Sequence, residues 1–316
     1  GQAVSDSILL KLSHTGQNFR KYEIKGDGSE ITVEPGLILG EVNRLLQAHK
    51  IKGGHDVQYK MGPDPSSIDS CMIGGVVANN SSGMCCGVSQ NTYHTLKDMR
   101  IVFVDGTVLD TSDQASRESF MRTHKPLVEG VQALARRVQA DEELTALIKK
   151  KFAIKCTTGY SINALVDHPV DDPIEIIKRL MIGSEGTLGF VSQATYKTVV
   201  DHPHKASAFI VFKDVQEACR AAAVLRRETT VDAVELFDRA SLTQCEGHEQ
   251  IIGLVPTIAD APKRGAALLI ECRGATDDEL DVAIKEVSTS LDGANLAYLN
   301  DRVSTYPFMK DEAVYK

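Results

Sequence analysis

Two stretches of nearly bare backbone constrain this chain more than anything else in it. Residues 62–83 read GPDPSSIDSCMIGGVVANNSSG, and residues 182–191 read IGSEGTLGFV. Each leads into a strand-like run, MRIVFVDGTVLD after the first and SQATYKTVV after the second. Glycine has no Cβ, so backbone of this kind lies close to a ligand and adopts positive φ. Successive N–H groups then line a concave anion site, with Ser, Thr and Asn as added neutral donors. A dinucleotide pyrophosphate suits that chemistry without a lysine. Either stretch alone reads equally well as a tight connection; two of them, each entering a strand, favour ligand binding.

The familiar nucleotide templates are missing. No G-x-x-x-x-G-K-[ST] occurs, which excludes a P-loop, and no G-x-G-x-x-G joins a strand to a helix, which leaves a Rossmann site unsupported. The net charge of -8 argues against a nucleic-acid partner, because phosphate binding needs a basic face. There is no 18-residue apolar run, so no transmembrane helix is expected, and no signal-peptide pattern opens the chain. The seven cysteines are odd in number, irregularly spaced and without a C-x-x-C. Free thiols in a reducing cytosol are expected rather than disulfides. Cys85 and Cys86 are adjacent, a poor arrangement for a shared disulfide or metal chelate, and no metal site is assigned.

The 316 residues allow about two domains. SDSILLKL and SEITVEPG read as strands, and Ile38, Val42, Leu45, Leu46 and His49 share a helical face. The glycine-rich region from Gly62 to Gly87 has no periodicity. The Asp-Gly of VFVDGTVLD predicts a hairpin. A helix starts at Pro126, with Leu127, Val128, Val131, Leu134, Ala135 and Val138 as its apolar stripe, and DPIEIIKRLM is a short helix. VVDHPHKAS reads as a boundary. Beyond it, ASAFIVF, a helix with Val215, Ala218, Cys219, Ala222 and Leu225 on one side, VDAVELF, AALLIECRG, a second helix and LAYLN follow in β-α-β, β-α-β order, which suggests a ferredoxin-like α+β domain.

GPDPSSIDSCMIGGVVANNSSG, MRIVFVDGTVLD, TTGYSINAL and IGSEGTLGFVSQATYKTV together resemble the FAD-linked oxidases of the vanillyl-alcohol oxidase superfamily, in the branch of D-lactate dehydrogenases and glycolate oxidase-type flavoproteins. The resemblance implies an α+β fold: a PCMH-type FAD-binding domain over residues 1–203 and a ferredoxin-like substrate domain over 204–316. Both ends read as cut. The opening GQA resembles the close of the family's first phosphate loop, so the first FAD subdomain is expected to be largely missing, and the substrate domain is expected to be truncated at its C-terminus.

Residues carry over by motif. Pro63, Asp64, Pro65 and Ser67 are expected beside the flavin. Ile73, Gly74 and Gly75 open the loop that passes the pyrophosphate and ring, and Asn80, Ser81, Ser82 and Gly83 close it. Gly183, Ser184, Glu185, Gly186, Thr187 and Gly189 are expected around the adenosine and pyrophosphate, with Glu185 orienting loop amides because a carboxylate repels a pyrophosphate. Val191 is expected to offer backbone groups to the adenine. Many relatives carry Tyr-Gly where this chain has Ser89 and Gln90, and the insert VDHPVDDPIEIIKRL leaves flavin contacts of Tyr93, His94 and Tyr160 open. No histidine stands as an attachment point, so noncovalent FAD is expected.

The implied reaction is oxidation of a D-2-hydroxy acid, D-lactate to pyruvate foremost, by hydride transfer to flavin N5, with a quinone or cytochrome as electron acceptor. No catalytic residue is assigned. Glu235, Asp238 and Arg239 of VELFDRASL form a charged group that a solvated strand–helix junction explains more simply. A 4Fe–4S cluster is expected only in a C-terminal region outside this chain, and the location cytoplasmic or peripheral to the inner membrane. Another flavoenzyme chemistry of the superfamily stays open as an alternative; the activity is expected of the full-length protein, and these 316 residues in isolation are expected to be a cofactor-free fragment without activity of their own.

Overall fold

The computed structural model describes residues 10–12, 18–245, 261, 263–294, 296 and 308–310. The opening GQA, and all but residues 10–12 of SDSILLKL and residue 296 of LAYLN, lie outside the described residues. The chain divides into two compact units, Gly1–Asp201 and His202–Lys316.

In the first unit the order is β1 (Tyr22–Lys25), β2 (Glu30–Val33), α1 (Leu39–Gly53), β3 (Tyr59–Lys60), α2 (Ile73–Asn79), α3 (Thr92–Thr95), β4 (Leu96–Val102), β5 (Val108–Asp110), α4 (Gln114–Thr123), α5 (Lys125–Gln139), α6 (Glu142–Phe152), α7 (Ala164–Asp167), α8 (Pro173–Met181), β6 (Phe190–Lys197) and β7 (Val199–Val200). Five strands form an antiparallel sheet in the order β1-β2-β6-β4-β5, and β3 pairs with β7. The Asp-Gly hairpin forms between β4 and β5: Gly106 takes φ 85, and the Asp105 carboxylate accepts the Thr107 N–H at 2.9 Å. Aspartates 113, 141 and 172 cap α4, α6 and α8 by accepting the N–H three residues on, which satisfies amides that have no intrahelical partner. Inside the sheet, Thr32 and Thr195 sit opposite each other and share a buried hydroxyl–hydroxyl bond of 2.9 Å.

Two sequence expectations need correction. The glycine-rich region is not irregular throughout, because Ile73–Asn79 is helical. Ile73, Val76 and Val77 are buried at helical spacing, and seven residues are too few for a periodicity to show. The α5 stripe is narrower than expected: Val128, Ala135 and Val138 are buried, while Leu127 and Leu134 are exposed.

The insert supplies α8 with a buried charge cluster. Lys178, 4% exposed, binds the Glu175 carboxylate at 2.6 Å and donates to the Lys97 carbonyl at 2.5 Å. Arg179 binds Glu175 at 2.9 Å and donates to the carbonyls of Tyr93 and, at 2.9 Å, Leu96. Burial alone pushes the Glu175 carboxyl up, but the hydrogen bond and charge of Lys178 and the charge of Arg179 hold it below its ordinary value.

The second unit runs β8 (His204–Phe212), α9 (Val215–Glu228), β9 (Ala233–Phe237), α10 (Arg239–Cys245), β10 (Ala266–Gly274) and α11 (Asp277–Gly293). The antiparallel order β8-β10-β9 places β10 between two strands joined through α9, the split β-α-β arrangement of a ferredoxin-like domain. Met309 exchanges both backbone bonds with Ser207 of β8 at 3.0 and 2.8 Å. One sheet face, with Ala206, Ala208, Ile210, Phe212, Leu268 and Ile270, packs on Ala218, Ala221 and Leu225 of α9 and on Leu280, Val287 and Leu291 of α11. Val215 and Cys219, expected on that stripe, are exposed instead.

Replacing Lys178 by Met is expected to cost about 3 kcal/mol, since it strips a buried carboxylate of one partner; urea unfolding reads the loss. Glu175 contributes stability fully above the ordinary carboxyl value of 4.5 and loses it as the pH falls through its lower folded value. The variant should therefore lose stability less steeply in acid than the parent. In the second unit, burial, reinforced by nearby Asp232, Glu271 and Glu286, pushes the Cys272 thiol up to about 12. Thiol reagents should label exposed Cys219 at once and Cys272 only on unfolding.

Candidate cofactor site

The two glycine-rich stretches meet at the C-terminus of α2. A helix end presents carbonyls without intrahelical partners, and here the second stretch supplies them with donors. The Gly183 N–H donates to the Val77 carbonyl at 3.1 Å, and the Glu185 N–H to the Ala78 carbonyl at 2.9 Å. The chain then leaves α2 through Asn80, which takes φ 55, ψ 48, a left-handed conformation that Asn tolerates better than most residues. The Asn80 side chain, 5% exposed by residue, accepts the Tyr93 N–H at 3.0 Å and donates to the Cys156 carbonyl at 3.2 Å. Asn79 donates to the Glu185 carboxylate at 2.8 Å. Glu185 itself has φ 51.

In the first stretch, Asp64 works as a loop organiser. Its two carboxylate oxygens accept the N–H groups of Cys86 and Cys85, each at 3.1 Å. The backbone passes Gly83 so closely that a Cβ there would lie 1.8 Å from the Asp64 carbonyl. Pro65 and Ser67 lend carbonyls to the turn that follows, accepting the N–H groups of Ile68, Ser70 and Cys71. Ile73 is buried, its N–H on the Leu37 carbonyl, and the Gly74 N–H is on the Pro35 carbonyl. The Ser81 carbonyl accepts the Thr92 hydroxyl at 3.0 Å. The Ser82 hydroxyl is sealed from solvent and has no partner among the described residues. Burial raises the Cys86 thiol above its ordinary value.

In the second stretch Ser184 is buried. Thr187 donates to the Ser184 carbonyl and shares a 2.7 Å hydroxyl contact with Tyr160. A Cβ on Gly183 would lie 2.7 Å from the Gly159 carbonyl, and one on Gly189 3.1 Å from that of Val102. Gly75 and Gly186 differ: a Cβ on either meets nothing within 4 Å. Val191 lies in β6 opposite Ile101 of β4. Pairing with β2 covers only Ala194–Lys197, so among the described residues β6 has a strand neighbour on one side only from 190 to 193.

Tyr93 is core rather than cleft. Its hydroxyl donates to Asp167 at 2.9 Å, the Arg179 guanidinium lies 5.4 Å from its ring centre, and burial raises its phenol above the ordinary value. His94 is exposed by residue, yet partial desolvation holds its imidazole below the ordinary value. Sequence reasoning passed over Lys155, whose Nζ donates to the Gly83 carbonyl at 3.2 Å. The available signal was its place four residues before Gly159, in KCTTGY. Glu235, Asp238 and Arg239 form a strand–helix junction: Asp238 accepts the N–H and hydroxyl of Ser241, and those bonds hold its carboxyl below the ordinary value. Among the described residues no three His, Cys, Asp or Glu side chains converge as metal ligands, and no helix is long and apolar enough to cross a membrane.

Residues 1–112 match the family model for the FAD binding domain, and residues 201–305 match that for the C-terminal domain of FAD linked oxidases. The chain belongs to the FAD-linked oxidase superfamily. The mitochondrial D-lactate dehydrogenase [cytochrome] 1 of Saccharomyces cerevisiae is 27% identical over 74% of this chain and 29% of its own length. The D-2-hydroxyglutarate dehydrogenase of Pantoea ananatis is 24% identical over 92% of this chain and 28% of its own. The glycolate oxidase subunit GlcD of Bacillus subtilis is 24% identical over 84% and 42%. The chain thus spans less than a third of the first two relatives. Among solved structures, alkyldihydroxyacetonephosphate synthase superposes over 89% of this chain and 42% of its own, with a TM-score of 0.55 and 16% identity, a likeness of fold.

Replacing Asn80 by Ala is expected to cost about 3 kcal/mol, from two buried groups left unpaired and a strained left-handed residue. Asn80→Gly keeps the backbone at ease and should lose about 1 kcal/mol less. Denaturant midpoints of the two variants test this; equal losses would remove the backbone part of the argument.

Proposed function

We propose that residues 1–203 form part of an FAD site, that 204–316 form the substrate domain, and that the protein oxidises a D-2-hydroxy acid, D-lactate to pyruvate. The observation that carries this reading is the docking of Gly183 and Glu185 on α2, which brings both glycine stretches to one place. FAD fits what is there. Gly75 and Gly186 leave backbone uncovered, the backbone at Val191 lacks a β2 neighbour, and the Ser82 hydroxyl lacks a partner. FAD, when bound, supplies hydride acceptance at flavin N5. The chain's own residues hold it: Ile73, Gly74 and Gly75 by close backbone approach, Asn80 and Ser81 by fixing the exit from α2, and Gly183, Ser184, Glu185, Gly186, Thr187, Gly189 and Val191 along the adenosine side. Pro63, Asp64, Pro65 and Ser67 shape the flavin side, Gly83 closes the loop that passes the pyrophosphate and ring, and Glu185 holds Asn79 instead of facing the pyrophosphate.

The relatives' names support a D-2-hydroxy acid substrate, and the yeast name supports a cytochrome as acceptor, with a quinone as the other choice. An iron–sulfur cluster belongs, on this reading, to residues outside the chain. The longer match to a D-2-hydroxyglutarate dehydrogenase, over 92% of this chain, favours that dicarboxylate as the second reading.

The purified protein should show the visible absorption of oxidised flavin. Anaerobic D-lactate should bleach it with an equivalent of pyruvate formed, and L-lactate should not. Bleaching by D-2-hydroxyglutarate alone would select the second reading; no bleaching by any D-2-hydroxy acid would defeat both.

A further inference from the structure

Neither glycine-rich stretch contains a Lys or Arg, and the chain carries a net charge of -8. The stretches carry three carboxylates instead: Asp64, against Gly83, and Asp69 in the first, and Glu185 in the second. A dinucleotide pyrophosphate is a dianion. Neutral hydroxyls and amides alone would leave it without a countercharge.

The fold supplies a cation from elsewhere in the chain. Lys155 follows α6 and reaches the first stretch from 72 positions away, where its Nζ donates to the Gly83 carbonyl at 3.2 Å. The next residue, Cys156, accepts the Asn80 side-chain amide at 3.2 Å. Residues 155 and 156 are thus laced to both ends of the Asn80–Gly83 turn, which holds the ammonium at the motif. Lys155 is exposed. An ammonium carries three N–H donors, and the Gly83 carbonyl uses one.

We propose that Lys155 is a cofactor-binding residue whose ammonium neutralises the FAD pyrophosphate, the counterion that the two glycine stretches do not supply. The proposal rests on the FAD reading above. It assigns the lysine to the diphosphate and not to the flavin ring, because the uncompensated charge of the cofactor is there.

Binding of FAD, ADP and riboflavin to the whole chain separates the cases, with Lys155 as Lys, Arg, Gln or Met. K155Q and K155M should bind FAD and ADP about tenfold more weakly than the parent. K155R should stay near the parent, and riboflavin, which has no phosphate, should bind all four alike. Added salt should weaken ADP binding to the parent more than to K155Q. Gln still donates to the Gly83 carbonyl, so parent-like FAD binding by K155Q would show that Lys155 only orders the loop and would overturn the proposal. So would an equal loss for riboflavin. A parent chain that binds neither FAD nor ADP takes down the FAD reading and this proposal with it; a parent that binds both beside an unaffected K155Q takes down this proposal alone.

Discussion

The arrangement of the first unit depends on how one short helix ends. The seven residues of α2 leave carbonyls exposed at the negative end of the helix dipole. Left-handed Asn80 caps the helix locally, its N–H on the Val76 and Val77 carbonyls and the Ser81 N–H on that of Val76, while the amides of Gly183 and Glu185 come from more than a hundred residues away to the Val77 and Ala78 carbonyls. Asn80 then spends its side chain on Tyr93 and Cys156. One helix terminus thus fixes three segments relative to each other: the exit from α2, the entry to α3 and the loop before β6.

That geometry sorts the glycines into two kinds. Gly83, Gly183 and Gly74 are required because protein backbone or Pro35 fills the space a side chain would take. Gly75 and Gly186 have open space there, and at 75 no positive φ demands a glycine. Sequence composition alone reports all five as the same letter. Packing explains the first group, a φ of 79 explains Gly186, and close approach by a ligand is the reason that the proposed FAD site gives for Gly75.

Local chemistry made much of the fold legible in advance. The Asp-Gly hairpin, the helix of DPIEIIKRLM and the first β-α-β of the second unit rest on local pattern, and they stand where the sequence put them. What escaped depends on distant partners. α2 is too short for its period to register, and its burial is set by the sheet. Lys155 is an ordinary lysine until the fold brings Gly83 to it. The Cys219 face of α9 looked apolar by spacing, yet the sheet meets the helix along Ala218, Ala221 and Leu225.

The insert completes the dependence. A segment that adds charge to a core must bring partners with it, because an unpaired buried ion is strongly destabilising. Glu175, Lys178 and Arg179 stand at i, i+3 and i+4 on α8, both cations on the one carboxylate of Glu175, with Asp98 3.8 Å from Lys178 as a second. The donors left over go to backbone carbonyls at Lys97, Leu96 and Tyr93. These flank the α3–β4 junction, one residue of which, Tyr93, gives its N–H to Asn80. The buried ions therefore brace the far end of the bond on which the α2 exit depends. Tyr93, pinned between Asp167 and Arg179, becomes part of that brace, which is why an aromatic residue close to the glycine cradle serves its support.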